Sequence, residues 1–301
     1  MRALGKYILS GRMQAIGVVS LLSTLSLMVP PLAFLMSGVP LGLLTLRKGA
    51  LPSLQVMAGS LLFMWLLSAI LKVQLLTVLM VLASVWLPVY ACSLVLRITE
   101  RPALMALAAA AIATCFVLYM YLVIGDVEQW WRDLLGEVLA AGLPADASAQ
   151  YQQAIELAPT LMNAVVASSI VTSLVFAVLL ARAWQSSLFN PGGFGKEFRA
   201  FALPRRLVIP LVLAMALIFV DDLAFADLLR DLLVVGLVLY LFQGLASVHR
   251  SVHERGLSAS WLIAMYFLLL FLPQIMVIFI AWIGMTDSLL ARRQAQADKD
   301  D

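Results

Sequence analysis

One uncharged stretch decides the fold class: PALMALAAAAIATCFVLYMYLVI, Pro102–Ile124. A helix needs about 20 consecutive apolar residues to cross the hydrocarbon core of a bilayer. In lipid, only helices and closed barrels satisfy every backbone amide, and a barrel strand alternates apolar and polar residues over about ten positions. This run is continuous and longer than such a strand. It therefore predicts a transmembrane helix.

Runs of the same kind fill most of the chain. Hydrophobic residues make up 63% and charged residues 12% of the 301 residues, whereas a soluble protein carries about 25% charged residues. The predicted spans are residues 13–29, 30–46, 51–71, 73–96, 102–124, 159–181, 207–220, 232–248 and 258–284. Pro30-Pro31 divides the first long run and Pro273 divides the last, because proline interrupts a helix. We predict an all-α polytopic transmembrane helical bundle of eight or nine spans, a single integral membrane domain over residues 1–301.

Basic residues are distributed unevenly between the predicted loops. The N-terminus and the loops at 47–48, 97–101, 182–206 and 249–255 together hold fourteen Lys and Arg residues, and the alternate segments hold three. Cytoplasmic loops of membrane proteins are enriched in Lys and Arg. We therefore expect a cytoplasmic N-terminus. The polar tail, 287–301, has nearly balanced charges, so the same rule does not assign it to a side.

Residues 125–158 interrupt the apolar pattern and are predicted to be an extracytoplasmic amphipathic segment. Val127, Trp130, Trp131 and Leu134 recur at helical spacing, which indicates a helix with one apolar face. Adjacent tryptophans are typical of an anchor at the membrane surface, and a lid over an extracytoplasmic cavity is the alternative. Four carboxylates beyond the seventh span are interpreted as charges of the outer surface: Asp221, Asp222, Asp227 and Asp231.

The cytoplasmic basic loop 184–206 contains the sequence NPGGF at Asn190–Phe194. Asn-Pro followed by two glycines is strong turn chemistry. Glycine amides with nearby basic side chains can hold a phosphate or an anionic headgroup, and a rigid connector between two spans is the simpler interpretation. The candidates for docking a partner or lipid here are Asn190, Gly192, Gly193, Lys196 and Arg199.

Three amide side chains within spans are candidates for binding a solute: Asn163, Gln243 and Gln274. Gln274 follows Pro273, where a helix break frees backbone carbonyls, as in many transporters. Elsewhere, His249 and His253 share a helix face but lack a third metal ligand. No Ser–His–Asp or paired-carboxylate pattern occurs. We expect no catalytic, metal or cofactor site, no enzymatic activity, and no nucleic-acid partner.

The NPGGF loop, followed by Glu197-Phe198-Arg199, resembles the YybS-like family of bacterial polytopic inner-membrane proteins of unknown function. The resemblance implies a multi-pass protein of the bacterial inner (cytoplasmic) membrane. That family is distantly similar to the substrate-binding S components of energy-coupling-factor transporters. Such a component captures a small molecule from outside and works with a transmembrane partner and two ATPases.

Two functions remain open from the sequence. The first is a transport-related role, in which a small solute binds near mid-membrane beneath the 125–158 segment. The second is a non-catalytic scaffold or regulatory protein that docks a membrane or cytoplasmic partner through the 184–206 loop. The first predicts a closed cavity lined by some of Asn163, Gln243 and Gln274, and saturable ligand binding. The second predicts that substitutions in the loop abolish function whereas those amides are replaceable.

Overall fold

The computed structural model of the chain describes residues 2–26, 32, 34–71, 76, 79–80, 82–140, 149–220 and 225–300. The predicted break at Pro30-Pro31 lies outside these residues, as do Asp221 and Asp222. In the polar tail, the backbone is described to residue 300 but the side chains only to Leu290.

Within the described ranges the regular structure is helical, without strands, as the apolar runs predict. The α-helices, in chain order from α1 to α13, are Arg2–Ser10, Arg12–Ser26, Val39–Lys48, Ala50–Leu71, Leu87–Thr99, Pro102–Tyr119, Val127–Ala140, Ala149–Phe189, Gly193–Arg199, Val208–Leu217, Ala226–Glu254, Ser260–Phe271 and Pro273–Asp300. Three π-helical turns adjoin them, at Phe34–Gly38, Leu82–Trp86 and Met120–Ile124, and a 3₁₀ turn covers Arg205–Leu207.

Five helices of the described chain are long and apolar enough to cross a membrane. They are Ala50–Leu67, Pro102–Ile124, Glu156–Phe189, Ala226–Glu254 and Pro273–Leu290, and two shorter apolar helices cover Ala83–Thr99 and Ser260–Phe271. The predicted number of eight or nine spans is therefore higher than the number of long apolar helices. Part of the difference comes from α10, whose ten residues rise only about 15 Å at 1.5 Å per residue.

One predicted boundary is present and another differs. The run 258–284 is divided at Pro273 as predicted, because Pro273 has no N–H to continue α12 and instead occupies the first position of α13, where an N–H would be unbonded anyway. The predicted 184–206 loop is largely helical: α8 continues to Phe189, and α9 covers Gly193–Arg199.

The chain forms two compact units that interleave along the sequence. Unit 1 comprises Met1–Ala109, Thr172–Leu203 and Leu245–Tyr266. Unit 2 comprises Ala110–Val171, Pro204–Gly244 and Phe267–Asp301.

Small residues allow close helix packing in unit 1. A Cβ on Gly42 of α3 would lie 3.0 Å from the Cβ of Ala181 on α8 and 3.2 Å from the Ser93 hydroxyl on α5. A Cβ on Gly59 of α4 would lie 2.4 Å from Ile16 on α2. Without a hydrophobic driving force in lipid, such close backbone approach is a main source of helix association.

The segments predicted to be cytoplasmic meet at one end of unit 1. The Arg47 guanidinium stacks 4.1 Å from the Phe189 ring centroid, and Arg97 donates a hydrogen bond to the Leu46 carbonyl. Arg250 donates to the Arg199 carbonyl at 3.1 Å. These contacts place the ends of α3, α5, α8 and α11 together, so these basic segments lie on the same side of any membrane that unit 1 spans.

In unit 2, α11 and α13 touch through their backbones. A Cβ on Gly244 would lie 1.9 Å from the Ile280 carbonyl oxygen, and a Cβ on Gly284 would lie 2.2 Å from the Tyr240 carbonyl oxygen. Both distances are shorter than any real contact, so only glycine fits at either position.

Candidate functional site

Unit 2 contains an open cleft of about 630 Å³, formed where four helices begin, end or bend. Its lining residues are Tyr121, Gly125, Asp126, Val127, Glu128, Pro159, Thr160, Asn163, Phe225, Asp227, Leu228 and Arg230. Two of the segments that meet here, residues 125–158 and the start of α11, were predicted to lie outside the membrane. The cleft therefore brings together the polar ends of apolar helices.

The cleft is shaped by a helix end, a helix start and a proline within a helix. The π-helical turn Met120–Ile124 ends at Gly125, whose φ is +83°, a conformation that glycine adopts without strain. Asp126 then begins α7, since its Oδ1 accepts the Gln129 N–H at 3.0 Å in a side-chain cap. Pro159 lies inside α8, where its missing N–H leaves the carbonyl of residue 155 without its helical donor.

A buried carboxylate, Asp231, lies behind the lining. Only 1% of it is exposed, and its Oδ2 accepts hydrogen bonds from the Asn163 amide at 2.6 Å and the Tyr121 hydroxyl at 2.9 Å. The Trp131 indole N–H lies 3.4 Å from the Asn163 Oδ1, a long hydrogen bond. Four side chains from four helical segments thus form one network.

The network is supported by an apolar cluster at the base of α7. Met120, Val127 and Trp131 are buried together, and Phe116, Tyr121, Ile124, Met162 and Val166 pack against them. Trp130 meets Trp131 edge to face, with ring centroids 4.7 Å apart. The two tryptophans, predicted as a surface anchor, therefore differ: Trp131 is 8% exposed and belongs to the core, whereas Trp130 is 37% exposed.

The charges of the cleft do not balance. Glu128 pairs with Arg132, and Asp227 pairs with Arg230 at 2.6 Å. Among the described residues, neither Asp126 nor Asp231 forms an ion pair. The Nε of Arg230 is buried and has no described hydrogen-bond partner. The cleft therefore offers net negative charge.

The three amides predicted to bind solute occupy different surroundings. Asn163 is 2% exposed and lines the cleft. Gln243 is buried in unit 2, where its amide donates to Ser288 at 2.8 Å and to Asp287 at 3.1 Å and so joins α11 to α13. Gln274 is exposed in the second position of α13. The structure places only the first of them at the cleft, and their role in binding stays a prediction.

Asp231 and Tyr121 were not among the candidates. Asp231 had been grouped with the aspartates of the outer surface, but it lies one turn inside α11. Its neighbours at positions +4 and +7, Val235 and Val238, are both buried, and residues at this spacing share one helix face. That register was the signal that could have identified Asp231 as buried.

The predicted docking residues come together in one folded segment of unit 1. Gly192 has a φ of +84° and precedes α9. The Ser186 hydroxyl donates to the Asn190 carbonyl at 2.6 Å and accepts the Phe194 N–H at 3.0 Å. A Cβ on Gly193 would lie 2.3 Å from the Asn190 amide nitrogen. The NPGGF sequence is thus a tight turn between α8 and α9.

A half-buried arginine, Arg182, holds α9 against α8. Arg182 forms two hydrogen bonds with the Glu197 carboxylate, at 2.8 and 2.7 Å, and a third with Gln185 at 2.6 Å. Bidentate pairs of this kind fix both distance and orientation. Asn190 and Lys196 remain exposed, and Arg199 is partly exposed. The segment is therefore an ordered surface, while its role as a docking site stays a prediction.

The histidine pair is divided between two environments. His249 bonds through Nδ1 to the Leu245 carbonyl at 2.8 Å and meets Phe198 edge to face, with centroids 5.4 Å apart. His253 is exposed near the end of α11. Across the part of the chain that the structure describes, no three His, Cys, Asp or Glu side chains are grouped as metal ligands.

Comparison with known proteins gives one family. No curated protein and no solved structure matches the chain significantly. Residues 17–288 match the sequence model of a family described as predicted membrane protein (DUF2232). Because the match covers most of the chain and the described helices include several of membrane-spanning length, the chain belongs to the DUF2232 family of predicted membrane proteins.

Proposed function

We propose that this membrane protein binds a small cationic solute in the cleft of unit 2, in a transport-related role. The observation that carries the proposal is Asp231, a buried carboxylate within a span-length helix whose described partners are two neutral donors. A buried charge without a counter-ion is unfavourable, and ionisable residues at such positions usually serve function. A cation bound in the cleft would compensate this charge through Asn163 and Tyr121, the two lining residues that donate to Asp231.

The rest of the lining narrows the solute class. Asp126 adds a second unpaired carboxylate, and Val127, Pro159, Phe225 and Leu228 supply apolar surface. An organic cation with a hydrocarbon part fits both features, since small-molecule sites combine apolar walls with few polar groups.

Binding is tested with the full-length protein in lipid nanodiscs. The probes are primary amines and quaternary ammonium ions of increasing chain length, with carboxylates and neutral alcohols of the same length as controls. Calorimetry measures affinity, and tryptophan emission gives a second readout because Trp131 contacts Asn163. Saturable binding of the cations alone is expected. Equal binding of the alcohols would contradict a charge-selective site.

The variant that isolates the carboxylate is Asp231→Asn. Both native hydrogen bonds are made to Oδ2, so the asparagine carbonyl can retain them and the fold is expected to persist. Loss of the negative charge behind the lining should weaken cation binding several-fold, because Asp231 acts through the lining and not by direct contact. Asp133→Asn is the matched control, because Asp133 lies on the exposed face of α7 outside the lining. Unchanged affinity in Asp231→Asn would exclude Asp231 as the cation partner.

A transport role additionally requires a defined orientation in the membrane and either a coupling partner or transport by the protein alone. A cytoplasmic N-terminus and a bacterial inner-membrane location belong to the same proposal, supported by the basic segments at one end of unit 1. Gentle-detergent purification from the native host, followed by mass spectrometry, tests for a transmembrane coupling protein with ATPases. Recovery of such proteins would support an S-component-like role. Cation uptake by proteoliposomes containing the protein alone would instead indicate an autonomous transporter.

A second candidate function is partner docking at the surface of the α8–α9 turn. Its support is that the turn is ordered by the Arg182–Glu197 pair while Asn190 and Lys196 stay exposed. Lys196→Glu reverses the exposed charge without touching that pair, and Arg132→Glu on α7 is a control of equal charge change. Loss of a co-purifying protein in the first variant only would favour docking.

A further inference from the structure

A second cavity, in unit 1, is unrelated to the cleft. It has a volume of about 210 Å³ and lies where α1, α2, α3 and α4 meet. Its lining residues are Ile8, Leu9, Gly11, Arg12, Leu44, Lys48, Pro52 and Val56. The cavity therefore combines six apolar positions with two cations and has no carboxylate.

Apolar and charged groups occupy different parts of this cavity. Ile8, Leu44 and Val56 are at most 3% exposed and form its floor. Arg12 and Lys48 are exposed and form its rim. Among the described residues, neither cation has an acidic partner. An anion with an attached hydrocarbon chain matches this division.

The position of the cavity points to the membrane surface. Arg12 begins α2, Lys48 ends α3, and the span-length part of α4 starts at Ala50. Its rim therefore lies at the boundary between charged and apolar residues, where phospholipid headgroups meet acyl chains. Basic pockets between helices at this depth are typical sites for anionic lipid headgroups.

We propose that this cavity binds an anionic phospholipid. The phosphate lies between Arg12 and Lys48, and the first part of one acyl chain rests against Leu44 and Val56. The cavity is too small for two full chains, so the remainder of the lipid stays in the bilayer. Both basic residues donate hydrogen bonds to phosphate oxygens, and arginine can do so with two N–H groups.

The experiment uses native mass spectrometry of the full-length protein with phosphatidylglycerol and, as the zwitterionic reference, phosphatidylcholine of the same chain length. The expected result is retention of one phosphatidylglycerol in preference to phosphatidylcholine. The double variant Arg12→Gln/Lys48→Gln should weaken phosphatidylglycerol binding about 30-fold, because each interfacial cation contributes about one kcal/mol to anionic-lipid binding. Arg12→Lys/Lys48→Arg keeps both charges and should retain the lipid.

The matched control is Arg2→Gln/Lys6→Gln, which removes two exposed cations of α1 that do not line the cavity. An equal loss of lipid in this control would overturn the proposal in favour of diffuse surface attraction. So would equal retention of the two lipids by the unmodified protein. Displacement of phosphatidylglycerol by millimolar inorganic phosphate would show a site for the free anion and overturn the lipid assignment.

Discussion

At the scale of single residues, the cleft depends on hydrogen bonds to one oxygen atom. The Oδ2 of Asp231 receives both the Asn163 and the Tyr121 hydrogen bonds. Hydrogen bonds to a charged group contribute about 1.5–3 kcal/mol, more than most polar contacts between membrane helices. The stability of unit 2 therefore depends on the two donors.

We expect Asn163→Ala to lower the free energy of unfolding by about 2 kcal/mol, since Asp231 would keep only the Tyr121 donor. Tyr121→Phe, which removes the longer bond and little volume, should lower it by about 1.5 kcal/mol. Thermal unfolding in mild detergent, followed by tryptophan fluorescence, measures both. A smaller effect in Asn163→Ala than in Tyr121→Phe would show that the amide is not the stronger donor.

At the scale of helices, glycines in two kinds of surroundings distinguish the effect of backbone packing on stability from the effect of helix propensity. Gly244 and Gly284 lie where the backbones of α11 and α13 touch, whereas a Cβ on Gly136 of α7 would meet no atom within 4 Å. The same Gly→Ala change should therefore have opposite effects in the two places.

Gly244→Ala is expected to destabilise the protein strongly, because the added methyl must push the Ile280 backbone of α13 away from α11. Such overpacking commonly lowers stability by about 1–3 kcal/mol. Gly136→Ala should raise it by about 0.5–1 kcal/mol through helix propensity alone. Melting temperatures of the two variants provide the comparison. A stable Gly244→Ala protein would mean that α11 and α13 are not in backbone contact.

The turn before α9 gives a second contrast between glycines. Gly192 has a φ of +84°, and Gly195, within α9, has no such constraint. An L-residue in the left-handed region is about 1–2 kcal/mol less favourable than in its usual conformation. Gly192→Ala should lower the melting temperature, whereas Gly195→Ala should leave it unchanged or raise it slightly through helix propensity. Equal melting temperatures would argue against the left-handed turn.

At the scale of the whole molecule, the placement of basic segments yields a topology prediction. In a Cys92→Ala/Cys115→Ala background, Lys196→Cys should react with an impermeant thiol reagent only after the membrane is opened. Gln129→Cys should react in intact cells. Both side chains are exposed, so access depends on the side of the membrane. Labelling of both positions from the same side would contradict the proposed orientation.

Many of the helices could be predicted from the sequence, because the hydropathy of a segment depends only on its own residues. The run at Pro102–Ile124 is a helix, and the helix expected within the amphipathic segment 125–158 is present as α7. The break at Pro273 follows from the missing N–H. The helix at Gly193–Arg199 could not be predicted from the sequence, because this segment begins with residues that are typical of turns. The helix is stabilised instead by the pair between Glu197 and Arg182, which lies fifteen positions earlier in the chain.

The cleft was less predictable than the helices. Asn163 was a candidate because an amide in a span needs a partner, but its partners lie 32 and 68 positions distant. Such contacts require the tertiary packing of four helical segments. Polarity alone also selected Gln274, which is exposed, and passed over Asp231, which adjoins other aspartates in the sequence.

The π-helical turn at Met120–Ile124 has a consequence for changes in chain length. The Gly125 N–H donates to the Met120 carbonyl, five positions earlier, at 3.1 Å, so the turn holds one residue more than an α-helical turn. Deleting Leu122 would restore ordinary α-helical spacing, and the residues after it would keep nearly the same direction relative to α6, because five residues of a π-turn and four residues of an α-turn both complete about one turn. Asp126 and α7 would then keep their places beside Tyr121. A single deletion here is thus expected to spare both the helix and the cleft, whereas the same deletion within α6 would rotate the cleft residues by about 100°.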